Sequence, residues 1–499
     1  MVKRKSRIMG SLFRNIFIVL IFFSFAYFFR PWLHDLFMFF YRAPVLVELL
    51  IILFIAHQFF KRKEPKFDIS GRRMFFFGST TFTLLILFLM FSSFFSTVMP
   101  QLYLVNNLNY KTIEKLPETK ENIRLMPYEV SYRYSKDSLQ LSQYRLGTGN
   151  IANVNEHLTW MFPLVPDGSL LQFLLKNKGV VFVDATTQKK NTNIVWKDLS
   201  VGEGMEVFDN LYWNIYKEKY LVDLDDPFYI PYGDEIYTVI PVISYSYHQW
   251  FGLFYAVPEF GGVITIDSHG KRDFLTPEEA VDTPFLKENR IFPEKLARYY
   301  TESYVYNNGL INKWFIHNDQ IDIQDISYQN RQPFLMDTSD GLKWFISTEP
   351  YGESHGIFKI FLIDAVNGYI EKYELPLKET LTGPMKARDF VRKENPRVDW
   401  SKFKMVEPLP FITNNILYWK LAVIPDDAAG IAYQAFVNSK TNDVLKFNTD
   451  EEIQNFIKIG SKTESTSSTG NLTKTNDETI EQIKQKLKEI DDLLEEIES

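Results

Sequence analysis

The sequence predicts a membrane-anchored α+β protein. It has three N-terminal transmembrane helices, an extracytoplasmic region of antiparallel β-rich repeats with packed helices, and a C-terminal coiled-coil helix. Three observations carry that reading. Met74 to Met99 is uncharged throughout, longer than the roughly 20 apolar residues a bilayer-spanning helix needs. Strand-like runs ending in an Asp or Asn turn recur over residues 146–460. The last residues repeat apolar positions every three and four residues.

Composition bounds the rest. The chain has 499 residues, 45% of them hydrophobic, a net charge of −7 and no cysteine. Absent cysteine excludes disulfides, thiolate catalysis and Cys-based metal sites. The mild acidity argues against nucleic acid as a partner, since no basic face competes for phosphates. The expected organisation is a three-helix membrane region over 1–99, a connector over 100–145 with strand-like pieces such as YEVSYRY, about four β-rich units over 146–460, a flexible linker over 461–476 and a coiled-coil helix over 477–499.

In the membrane region the first span runs from Asn15 to Phe29, and the sequence FAYFFRPW offers no small-residue cleavage site. The second runs from about Ala43 to Phe60, and the third is Met74–Met99. Lys3, Arg4, Lys5, Arg7 and Arg14 precede the first span. Lys61, Arg62, Lys63, Lys66, Arg72 and Arg73 lie between the second and third. Residues 100–110 hold no Lys or Arg. Positive segments stay inside, so the N-terminus is expected in the cytoplasm and residues 100–499 outside a cell membrane. Glu48 is an acid within an apolar span, which points to an ion or proton site, or to a carboxyl near the outer interface paired between helices.

The outer region shows a repeated pattern: an apolar strand reaching a proline, a second apolar strand, then a turn at Asp184, Asp267, Asp364 or Asn438. An Asp or Asn there can bond its own backbone two residues on. Gly270, Gly368 and Asn442 supply the positive φ of a tight turn. After the second turn, LTPEEAVD reads as a capping box of Thr276 and Glu279 with Pro277 at the first helical position. Ile236 to Pro258 carries no charge and is long enough for a fourth span. Its two prolines and its alternation of apolar with Ser, Tyr and His argue instead for a strand hairpin.

IFLIDAVNGYIEKY, and less closely QAFVNSKTNDVLKF, resemble the strand, Asp-x-x-Thr-Gly turn and strand that end PepSY-type modules. The resemblance implies small antiparallel sheets with a helix on one face. It also implies an extracytoplasmic role of regulating peptidases or serving envelope processes.

No catalytic or cofactor motif appears, no HxxxH or HxH pair, no phosphate loop and no nucleophile elbow. The expected protein is therefore a non-enzymatic scaffold or binding module without cofactor. The alternative is a channel, transporter component or sensor built on the helices around Glu48. The acidic run Asp223, Asp225, Asp226 lacks the Gly and distal Glu of a calcium loop. Trp160, Tyr237, Trp344 and Trp419 recur at similar places; they could line a binding face, and core packing is the expectation. At the C-terminus Ile480, Ile483, Leu487, Ile490, Leu494 and Ile497 form a heptad seam. Leu at a with Ile at d leans toward three or four strands. The expected partners are membrane lipid and, through this helix, the chain itself or another protein.

Overall fold

The computed structural model describes residues 17, 20–63, 71–325, 331–352, 356–376 and 379–464. The chain divides into two compact bodies, residues 1–450 and 451–499. The linker beyond residue 464 and the whole seam from Ile480 to Ile497 lie outside the described residues.

The first body begins with helix α1 (20–28). A 3₁₀ turn at Arg30–Leu33 leads into α2 (His34–Arg42), followed by α3 (Pro44–Lys63) and α4 (Gly71–Asn107). Three spans were expected. Among the described residues one helix is long and apolar enough to cross a membrane, Leu85–Asn107 within α4. A second candidate exists only as a bent pair, Arg30–Arg42 with Pro44–Ile55, turned by 80°. The bend follows from Pro44, which has no N–H and excludes the residue before it from the helical region; Ala43 sits at φ −122°, ψ 63°. The third span also does not stop at Met99. Pro100 lies inside α4, and the helix runs on to Asn107 because Val98 and Val105 bury against Tyr306. Packing there outweighs the broken backbone bond.

After β1 (Tyr110–Ile113) the chain forms four units of one plan, a helix followed by an antiparallel meander of four strands. The first unit is α5 (Tyr128–Ser138), the added strand β2 (Tyr144–Leu146), then β3 (Asn150–Val154), β4 (His157–Pro166), the one-turn α6 (Leu171–Leu174), β5 (Asn177–Asp184) and β6 (Thr192–Leu199). YEVSYRY, expected as a strand, is the start of α5: Val130, Ser131 and Ser135 are its buried face, a helical spacing. The second unit is α7 (Leu211–Glu218), the short β7 (Asp223–Leu224), β8 (Phe228–Tyr232), β9 (Glu235–Trp250), β10 (Leu253–Ile266) and β11 (Arg272–Leu275). Ile236–Pro258 is thus a hairpin. Its two turn residues, Phe251 and Gly252, both have positive φ, as a tight turn matched to strand twist requires.

Helix α8 (Pro277–Asp282) follows, with both halves of the Thr276–Glu279 capping box formed. The third unit is α9 (Glu294–Ser303), α10 (Gly309–Ile311), β12 (Ile321–Asp322), β13 (Phe334–Thr338), β14 (Gly341–Pro350), β15 (Gly356–Ile357), β16 (Lys359–Asp364) and β17 (Ile370–Glu374). Here β1 joins the sheet edge in parallel with β17. The fourth unit is β18 (Leu381–Thr382), α11 (Pro384–Glu394), β19 (Phe403–Thr413), β20 (Ile416–Pro425), β21 (Tyr433–Asn438) and β22 (Val444–Phe447). Helix α12 (Asp450–Glu464) begins on the last residue of the first body and is otherwise the described part of the second, so the first residues of the expected linker are helical.

The four predicted turn residues occupy equivalent places, between the third and fourth strand of each meander. In every case the side-chain Oδ1 accepts from the N–H two residues on: Thr186 for Asp184 (2.8 Å), His269 for Asp267 (3.0 Å), Val366 for Asp364 (2.9 Å) and Lys440 for Asn438 (2.9 Å). Gly368 stands at φ +77°, where a Cβ would collide with the Phe292 ring. Trp160, Trp344 and Trp419 are buried in the second strand of their meanders, each indole N–H donating to a backbone carbonyl.

Candidate functional site

The third turn fixes the segment just ahead of α9. Phe292 N–H donates to Ala365 C=O (2.8 Å), and Trp344 Nε1 donates to Phe292 C=O (3.1 Å). Asn289, buried, ties the same segment to the first unit. Its Nδ2 donates to Asn153 C=O (2.7 Å), and its Oδ1 accepts from Asn153 N–H (3.1 Å). The segment 289–293 is thereby held between the first and third meanders, and beside it opens a cleft of about 650 Å³. That is within the range of small-molecule sites.

One wall is a single face of α9, with Glu294, Lys295, Arg298, Tyr299 and Glu302. The others come from the segment leading into α5 (Arg124) and its first residue (Tyr128), from β3 and β4 (Ile151, Trp160), and from β13 and β14 (Phe334, Trp344). Aromatic walls with charged groups placed between them suit a ligand with an apolar body and a charged head.

The cations of the cleft differ in how they are partnered. Arg298 uses four of its five donors: Nε donates to Glu302 (2.7 Å), Nη1 and Nη2 fork onto Asp325 (2.8 and 3.0 Å), and Nη1 also reaches Gln332 C=O. Lys295 pairs with Asp225 (3.4 Å) and Asp226 (3.2 Å). Arg124 holds Glu407 (2.7 Å) and lies over the Trp160 ring. Arg331 lies 3.5 Å from Asp325. Arg290 is 2% exposed and stacks on Phe228, and its Nε and Nη2 have no hydrogen-bond partner. Burial, with the Asp225 carboxylate beside it, pushes the Glu294 carboxyl up against the pull of Arg290.

Two further buried titratable groups stand outside the cleft. Glu203 accepts from Tyr229 Oη (3.2 Å) and Tyr212 Oη (3.4 Å), and burial pushes it up to about 7. Lys420 donates to Arg124 C=O (2.7 Å), and burial lowers it to about 7 against the pull of Glu407.

Of the residues singled out in the sequence, none of the four turn residues lines this cleft. Glu48 accepts from Phe254 N–H at 3.3 Å, so its carboxylate holds the tip of the β9–β10 hairpin to α3. Of the acidic run, Asp226 lines the cleft while Asp223 binds Arg42 and Tyr245. Among the described residues no group of three or more His, Asp or Glu is placed to hold a metal ion. The cleft residues Arg124, Arg290 and Arg298 escaped sequence reasoning. The available signal was the dense alternation of Arg, Lys, Glu and aromatics over ENRIFPEKLARYYTES.

Comparison with known proteins gave no match: no family model, no curated protein and no solved structure is similar to this chain.

Proposed function

We propose that this chain is a membrane-anchored extracytoplasmic binding protein, seated on the outer face of the bilayer and presenting its cleft to a ligand. One observation carries the reading: large apolar side chains stand exposed around the helices where those helices meet the meanders. Phe251 at the β9–β10 tip is 88% exposed and Trp250 beside it 50%, with Trp250 near Phe95 of α4. Phe315 is 77% exposed next to Trp314, which packs on Phe94 of α4. Phe208 is exposed beside Phe28 at the end of α1. Exposed apolar patches of this kind mark interaction surfaces, and aromatic residues favour the membrane–water interface.

In this reading the N-terminal helices anchor the chain with the N-terminus inside and residues 100–499 outside. The helix-and-meander units act as PepSY-like modules. The seam from Ile480 to Ile497 joins the chain to itself or to another protein. Function as a channel or transporter would place ion chemistry at Glu48, whose carboxylate is engaged with the hairpin instead.

Nanodiscs made with lipids brominated along the acyl chain test the seating. In a Trp32→Phe background tryptophan fluorescence should be quenched, and adding Trp250→Phe with Trp314→Phe should remove most of the quenched fraction. Unquenched wild-type fluorescence would overturn it. Protease added to intact cells should digest residues 100–499; full protection would reverse the orientation.

A further inference from the structure

We infer that Arg290 is the anchor of an oxyanion site, and that the cleft takes a ligand with a carboxylate or phosphate head on an apolar or aromatic body. The inference rests on the reading of this chain as a binding protein and adds the chemistry of what it binds.

Nε and Nη2 are the two donors on one edge of a guanidinium. That edge makes the parallel pair of hydrogen bonds to a carboxylate or phosphate. In Arg290 both are buried and both lack a partner among the described residues. A buried charged donor left unpaired is costly, and structures rarely retain one without cause. The other cations of the cleft each form a close ion pair with an acid; Arg290 forms none, although its charge reaches the neighbouring Glu294 carboxyl.

The setting makes the vacancy a fixed one. The Arg290 backbone N–H is held by Asn289 Oδ1 (3.3 Å), the guanidinium stacks on Phe228, and Asn289 and Phe292 on either side are locked to the first and third meanders. A pre-positioned fork of this kind loses little freedom on binding. The volume exceeds what an inorganic anion fills, and Trp160, Trp344 and Phe334 supply apolar wall for a ring or chain behind the head.

The test uses the full chain in nanodiscs and titrates three probes of one shape: benzoate, phenyl phosphate and benzyl alcohol. Calorimetry or intrinsic fluorescence reads binding. Saturable binding of at least one anion and none of the neutral alcohol is expected, and the stronger of the two anions identifies the head group. Arg290→Gln should weaken that anion about tenfold or more, the loss of a charge-assisted bidentate pair. Arg290→Lys, which keeps the charge and loses the fork, should fall between.

Removing an unpaired buried charge relieves a desolvation cost, so the Gln variant should unfold no more easily than the wild type. If it does fail to fold, the Lys variant carries the comparison. Absence of saturable anion binding by the wild type, or equal affinity in the variants, overturns the inference. Because lipid quenching is read on the same nanodiscs, loss of anion binding with quenching intact sinks this inference alone, and loss of quenching sinks the seating.

Discussion

Replacing Lys420 by Met should change the pH dependence of stability more than stability itself. Lys420 lies in β20, 2% exposed, with Nζ donating to Arg124 C=O. An ordinary lysine titrates near 10.5; burial brings this one to about 7. Between those two pH values the unfolded chain holds a proton that the folded chain lacks. Wild-type stability therefore rises with pH from about 7 towards 10.5, and below 7 the full cost of a buried ammonium is present. Each pH unit in that window corresponds to about 1.4 kcal/mol, so from pH 6.5 to 9.5 the wild type should gain about 3 kcal/mol from this group. The Met variant loses one hydrogen bond, about 1 kcal/mol at every pH, and gains nothing across the window. Its advantage over the wild type at pH 6.5 should thus shrink by about 3 kcal/mol at pH 9.5. Guanidinium unfolding of the detergent-solubilised full chain measures both curves. Parallel profiles for the two proteins would refute a neutral buried lysine.

The remaining predictions concern other buried groups and the turns. Glu203 has the opposite sign: its carboxyl is raised from 4.5 to about 7, so the stability it contributes is present below pH 4.5 and lost as pH rises through 7. Complete burial would make that loss roughly 3 kcal/mol. Glu203 keeps some solvent contact, so about 2 kcal/mol is expected, and it should vanish in Glu203→Gln when unfolding is followed from pH 4.5 to 7.5. Asp364→Ala should cost about 2–3 kcal/mol, because it frees the N–H groups of Val366 and Asn367 and strips buried Lys343 of a partner at 3.1 Å. Asp267→Ala, at the equivalent but solvent-exposed turn, should cost about 1 kcal/mol; equal losses at the two sites would contradict this ranking.

What the sequence showed and what it concealed divide by distance along the chain. The Asp and Asn turns and the Thr276–Glu279 capping box were legible because each bond closes within two to four residues. YEVSYRY misled because its alternating aromatics fit a strand, while the burial of Val130, Ser131 and Ser135 selects a helix. That burial depends on packing against β4 and β5. The third span was bounded at Met99 because Tyr306, which helps hold α4 beyond it, lies some two hundred residues away in the chain. The cleft was illegible for the same reason: Arg124 meets Glu407 across 283 positions, and Asn289 meets Asn153 across 136.

The continuity of α4 has a mechanical consequence. A helix that runs past its most apolar stretch without a break and ends at Asn107, three residues before β1, is a strut joined to the third sheet. Tension applied at its N-terminal end passes into β1, whose four residues pair in parallel with β17. Pulled along its axis, such a strand loads its hydrogen bonds together in shear rather than peeling them one at a time. The third meander, which also holds the wall of the cleft around Trp344, would feel force carried along α4 before the fourth does.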